Sequence, residues 1–140
     1  MTPAEFTLER YKYVLGQKKD LNEKSFKLAT VYQAAVILAC GATYKVVCDA
    51  RSGVVTAQEG LAFEWAIFGI MTLASLFFAL LIAGGLLSWL KYRRDEADIE
   101  FAVTGTCRPA PGRSDILRWY ETYLIIGAVA VPLIHLSILL

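Results

Sequence analysis

The stretch WAIFGIMTLASLFFALLIAGGLLSWL, residues 65–90, decides the fold. It carries no formal charge, and as a helix it reaches roughly 39 Å, beyond the ~30 Å hydrocarbon core of a bilayer. Tilt or extension past the membrane is therefore expected. Trp65 and Trp89 frame the run, and their amphipathic rings favour the two headgroup layers.

Two further runs lie on either side. Upstream, Lys27 and Lys45 enclose LATVYQAAVILACGATY, which spans roughly 25 Å and is close to the lower limit for a crossing. Both lysines can snorkel outward and lengthen it. Downstream, a third run begins near Asp115, presents Trp119, Tyr120 and Tyr123 as interfacial anchors, and is uncharged from Thr122 to Leu140. Across all 140 residues, 56% are hydrophobic, against a soluble norm of about 45–50%. These features predict an all-α integral membrane protein of three transmembrane helices, with the lipid bilayer as its first partner. The net charge of +1 argues against a nucleic-acid partner.

Basic residues set the expected orientation. Arg10, Lys12, Lys18, Lys19, Lys24 and Lys27 precede the first span, and Lys91, Arg93, Arg94, Arg108, Arg113 and Arg118 lie between the second and third. Only Lys45 and Arg51 fall between the first and second. The positive-inside rule then places the N-terminus in the cytoplasm and the C-terminus outside, as three crossings require. A bacterial inner membrane is the expected location.

The first 26 residues mix charge with apolar positions and lack the apolar core of a signal peptide. Thr2-Pro3-Ala4-Glu5 reads as a helix start. Tyr11, Val14, Leu15, Lys18 and Leu21 recur at helical spacing, so one long helix is expected over residues 3–47. Helix formers continue past Leu90 through KYRRDEADIEFAV until Gly105 and the CRPAPGR segment stop them. The expected organisation is a single domain, 1–140. A cytosolic amphipathic helix (1–26) leads into span 1 (28–47). Span 2 (65–90) leads into a cytosolic helix and loop (91–115), and span 3 covers 116–140. The first two spans, joined by DARSGVVTAQEG, form a hairpin with cytosolic extensions.

On a helical wheel, Thr30, Gln33, Ile37, Cys40 and Tyr44 share one stripe, polar except at Ile37, while Ala35, Ala39 and Ala42 occupy the opposite side. A lipid-facing helix has little use for either, so the first span is expected in the interior with neighbours on both sides. Thr72, Ser75, Ala79 and Ala83 form a small-residue stripe on the second span suited to those alanines, and Gly127 permits close approach on the third. The polar stripe has three readings. Hydrogen-bonding glue between neighbouring helices is the commonest use of such residues; an inter-subunit seam and a water-lined path are the others. Three helices hardly enclose a pore, so a path requires several copies.

Other chemistry is sparse. His135, the single histidine, lies near the outer end of its helix, and Glu121 sits roughly 21 Å away along the same helix, too far to meet it. Pro132 is expected to kink that helix. Cys40, Cys48 and Cys107 fall at three different depths and cannot pair within this topology; Cys48 alone is placed to cross-link two copies. No motif for metal, nucleotide or cofactor binding is present, and nothing supports an enzyme or an active transporter. Two functions remain as expectations: a homo-oligomeric channel or membrane-perturbing effector controlled through the cytosolic helices, or an accessory subunit of a larger membrane complex. The first matches, in architecture alone, the membrane effectors of bacterial anti-phage defence. Phage holins fit less well, because the inside N-terminus and outside C-terminus disagree with their common three-span form.

Overall fold

The computed structural model describes residues 3–106 and 119–139. They form three helices, α1 (Pro3–Arg51), α2 (Ala57–Thr104) and α3 (Tyr120–Leu139). All three are long and apolar enough to cross a membrane. By helical rise, α3 measures about 30 Å, and α1 and α2 each exceed about 70 Å.

After Pro3, no proline interrupts α1, which continues four residues past the expected end at residue 47. It stops where Gly53 takes a left-handed conformation (φ 75°) and the Val54 amide bonds back to the Asp49 carbonyl at 2.9 Å. The expected twelve-residue connection shrinks to residues 52–56, because α2 begins well before Trp65. Thr56 caps it: the Thr56 hydroxyl accepts from the Glu59 amide at 3.2 Å, and the Glu59 carboxylate accepts from the Thr56 amide at 2.9 Å. This reciprocal pair satisfies two amides that a helix start leaves open. At the far end Gly105, with φ 69°, donates its amide to the Phe101 carbonyl and ends α2 where a glycine stop is expected. Thr2, Cys107, the CRPAPGR segment and the expected start of the third span at Asp115 lie outside the described residues.

Contacts between α1 and α2 pair in reverse chain order, from Val46 with Gly60, through Tyr32 with Ser75, to Lys18 with Glu96. On α1, Lys18, Ser25, Tyr32, Ala39 and Val46 recur every seven residues. On α2, Met71, Ser75, Phe78 and Ile82 alternate steps of four and three, and Trp89, Glu96 and Ile99 continue the same pattern. A seven-residue repeat keeps a contact line turned toward its neighbour over many turns. A Cβ on Gly60 would meet the Ala50 side chain at 3.3 Å, so a glycine lets the helices close beside the turn.

α3 reverses again. Trp119 meets Trp89 (4.2 Å between ring centroids), Ala128 packs with Phe78 and Ile82, and His135 meets Phe68 (5.9 Å). Those contacts cover α2 only from Phe68 to Trp89. Beyond them the N-terminal part of α1 and the C-terminal part of α2 continue as a two-helix extension. It encloses Val14, Glu96 and Ile99.

The buried cluster of the three-helix section is small, comprising Phe78, Ile82 and Ala128. Most large apolar side chains point outward, Leu38 (74% exposed) and Ile138 (72%) among them. In water such a surface is a strong association liability, whereas against lipid tails it loses nothing. Within one chain the first span does not have neighbours on both sides, as the sequence led us to expect. No residue from Phe26 to Arg51 is fully buried. α2 occupies the middle place, with α1 and α3 flanking it.

Candidate functional site

The bundle's centre is held by a residue whose role the sequence did not reveal, Tyr32. Its ring stacks on Phe78 at 4.4 Å between centroids and 10° between planes. Its hydroxyl lies 2.7 Å from the Ser75 hydroxyl and makes a longer, 3.4 Å contact with the Ala128 carbonyl. Ala128 is four residues before Pro132, which has no amide hydrogen to offer that carbonyl. Tyr32 therefore supplies from α1 the donor that Pro132 withholds. Because a carbonyl only accepts, the tyrosine is the donor in the Ala128 contact, while in the shorter contact with Ser75 either hydroxyl can donate.

The stripe of Thr30, Gln33, Ile37, Cys40 and Tyr44 lies about a third of a turn around α1 from the α2 seam, at 100° per residue. All five are exposed. Thr30 closes its hydroxyl onto the Phe26 carbonyl of its own helix at 3.0 Å. The other four edge an open groove between α1 and α3. One part, of about 540 Å³, is bordered by Gln33 and Ile37 on α1 and Tyr123 and Gly127 on α3, with Tyr32 and Phe78 at its base. The next part, of about 360 Å³, is bordered by Cys40 and Tyr44 on α1 and His135 and Ile138 on α3, with Met71 beneath.

Among the alanines, Ala35 and Ala39 are half-buried and Ala42 is exposed. On α2, Ser75 is buried, and Thr72, Ala79 and Ala83 are half-buried; Thr72 donates to the Phe68 carbonyl at 2.8 Å. Gly127 is exposed, and a Cβ added there meets no side chain.

Aromatic residues gather where α3 begins. Trp89 meets Trp119 at a steep angle, and Tyr120 stacks on Phe26 at 4.9 Å. Trp65, at the other end of the three-helix section, stands edge-on to Phe68 at 5.6 Å, and Tyr123 is exposed. Just beyond the Trp89 level, Lys18 reaches 2.7 Å from the Glu96 carboxylate and 5.2 Å from the Trp89 ring, while Arg93 reaches the same carboxylate at 2.8 Å. Burial opposes ionisation of Glu96, but the hydrogen bonds and positive charges of Lys18 and Arg93 outweigh it. Its carboxyl is held below the usual glutamate range. Farther out, Leu8 and Tyr11 of α1 and Ile99 and Val103 of α2 line an apolar groove of about 430 Å³.

Sequence spacing identified the exposed stripe as one face but could not show which way it points. Tyr32 and the Lys18–Glu96 pair were missed; the available signal for Tyr32 was the carbonyl that Pro132 leaves open. Among the described residues no group of three or more His, Cys, Asp or Glu comes together to hold a metal ion. No family model, curated protein or solved structure matches the chain.

Proposed function

We propose that this is a non-enzymatic multi-pass membrane protein whose copies assemble through the exposed side of α1 into a channel or membrane-perturbing effector, of the kind bacterial anti-phage defence employs. The observation that carries the reading is the outward turn of Thr30, Gln33, Cys40 and Tyr44. A glutamine amide facing lipid tails loses its hydrogen bonds, whereas one facing a neighbouring copy keeps them. The chain's own helices leave that side open, so another chain is the natural cover. In this reading α1 and α2 form a membrane hairpin in the inner membrane, the N-terminus is cytoplasmic, and the two-helix extension receives the controlling signal.

Two measurements test it. In intact cells a cysteine placed at Ser52 should react with an impermeant maleimide while Cys107 is protected; the opposite pattern reverses the orientation. In liposomes, Gln33→Leu should lower ion leakage at equal protein content, because it removes a polar group from the path at similar volume. A parent protein that forms no oligomer and leaks no ions defeats the proposal. An accessory-subunit role is favoured by a separate feature, the apolar groove beside Leu8 and Val103, which suits a helix from another protein. Co-extraction as a stable complex of two different chains would select that role.

A further inference from the structure

Lys24, Ser25 and Phe26 point three ways around one turn of α1. Phe26 faces α3, where its ring stacks on Tyr120 at 4.9 Å between centroids. Ser25 is buried against α2, with its hydroxyl 4.0 Å from where a Cβ on Gly85 would stand. At 100° per residue Lys24 then falls on the side away from α3, and Lys27, one turn on, is its neighbour there. Both lysines are exposed. Their depth follows from α3, which starts at Tyr120 and measures about 30 Å, the thickness of a hydrocarbon core. The Phe26–Tyr120 stack therefore marks one edge of that core, and Lys24 and Lys27 straddle it. Their stems can lie along apolar surface while the ammonium groups rise into the phosphate layer.

The six lysines of α1 divide by their partners. Lys12, Lys18, Lys19 and Lys45 each lie within 3.9 Å of a carboxylate, that of Glu9, Glu96, Glu23 and Asp49 in turn. Lys24 and Lys27 have no ion-pair partner among the described residues. The nearest acids in sequence, Asp20 and Glu23, are exposed one turn farther from the membrane, and Glu23 is engaged by Lys19. Two adjacent cations at phosphate depth, with no carboxylate of their own, attract an anion that the bilayer itself supplies. On the membrane side of them, Val31 and Leu38, seven and fourteen residues after Lys24, continue the same side as an exposed apolar ridge. We infer that Lys24 and Lys27 hold the phosphate of an anionic glycerophospholipid on the side of α1 away from α3, with its acyl chains along Val31 and Leu38. A zwitterionic lipid is a poorer occupant, because its own ammonium lies among the phosphates and offsets their charge. The inference rests on the membrane-spanning reading but not on assembly or conduction. It uses a side of α1 about a third of a turn from the α2 seam, in the opposite direction from the polar stripe of Thr30 to Tyr44.

The test places the full chain in nanodiscs of phosphatidylcholine with a minority of phosphatidylglycerol, the two lipids differing in acyl mass. Native mass spectrometry then counts the lipids that each released particle retains. Phosphatidylglycerol should be enriched about thirtyfold over its share of the bilayer, about fivefold from each lysine. Lys24→Gln with Lys27→Gln should remove the enrichment, and Lys24→Arg with Lys27→Arg should keep it. Arg10→Gln with Lys12→Gln takes the same charge from exposed positions more than 20 Å by helical rise from Phe26, roughly twice the screening length, and should leave the enrichment unchanged. Loss of enrichment in that last variant assigns it to the charge of the whole protein and overturns the inference. So does equal retention of both lipids by the parent, or enrichment that survives Lys24→Gln with Lys27→Gln. A chain that does not enter nanodiscs overturns the membrane reading and this inference with it, whereas inserted protein without enrichment overturns this inference alone.

Discussion

The two-helix extension and the three-helix section solve opposite problems with the same two helices. In the extension, α1 and α2 hide Val14 and Ile99 and close around Glu96, which Lys18 and Arg93 both reach. Apolar burial is the driving force there, and a charge cluster fixes the alignment. The three-helix section buries Met71, Ser75, Phe78, Ile82 and Ala128, yet it leaves many more large apolar side chains facing outward, Leu38 and Ile138 among them. Lipid gives no reward for burying leucine, so contact depends on shape and on hydrogen bonds such as Tyr32 to Ser75. Side chains that water would drive inward are left outside, and the Tyr32–Ser75 hydroxyl pair marks where α1 meets α2.

That contrast can be challenged by substitution. Ile82→Ala opens a void at the tightest point of the three-helix section and should cost about 2–5 kcal/mol. Reversible unfolding in mixed micelles would measure it, and a cost near zero would mean that packing does not hold this section. Glu96→Gln leaves Lys18 and Arg93 beside a neutral partner and should cost about 1–3 kcal/mol. The same carboxylate gives the extension a pH dependence. Since its folded titration lies below the unfolded one, its contribution is complete above the ordinary glutamate range and disappears as pH falls through the lowered folded value. Once corrected for the intrinsic pH dependence of amide exchange, the protection of residues 91–104 should therefore fall in acid in the parent and much less in Glu96→Gln. The smallest effect belongs to the turn: Thr56→Ala removes half of the reciprocal cap and should cost about 1 kcal/mol, read as faster exchange of the first amides of α2.

The three apolar runs, the continuation of α2 past Leu90 and its stop at Gly105 were legible because each depends on neighbours in sequence. The short turn was less so: the Thr56–Glu59 cap was present in the letters, but apolar content drew the expected boundary to Trp65. Lys18 and Glu96 lie 78 residues apart and Tyr32 and Ser75 lie 43 apart, so no local pattern pairs them. The stripe from Thr30 to Tyr44 was visible as a stripe but not as an outward one. Periodicity tells which residues share a side of a helix, and in a membrane, where both lipid and protein neighbours are apolar, it does not tell which neighbour that side meets.

Tyr32 touches both other helices at nearly one point, through Phe78 and Ser75 on α2 and the Ala128 carbonyl on α3. A slide of any helix by a single residue, about 1.5 Å, would break at least one of these contacts. Tilting is different, because displacement grows with distance from the fixed point and is least at the hydroxyl itself. The contacts of Tyr32 thus fix the helices against sliding along their axes more strictly than against tilting. One side chain therefore sets the register of all three helices.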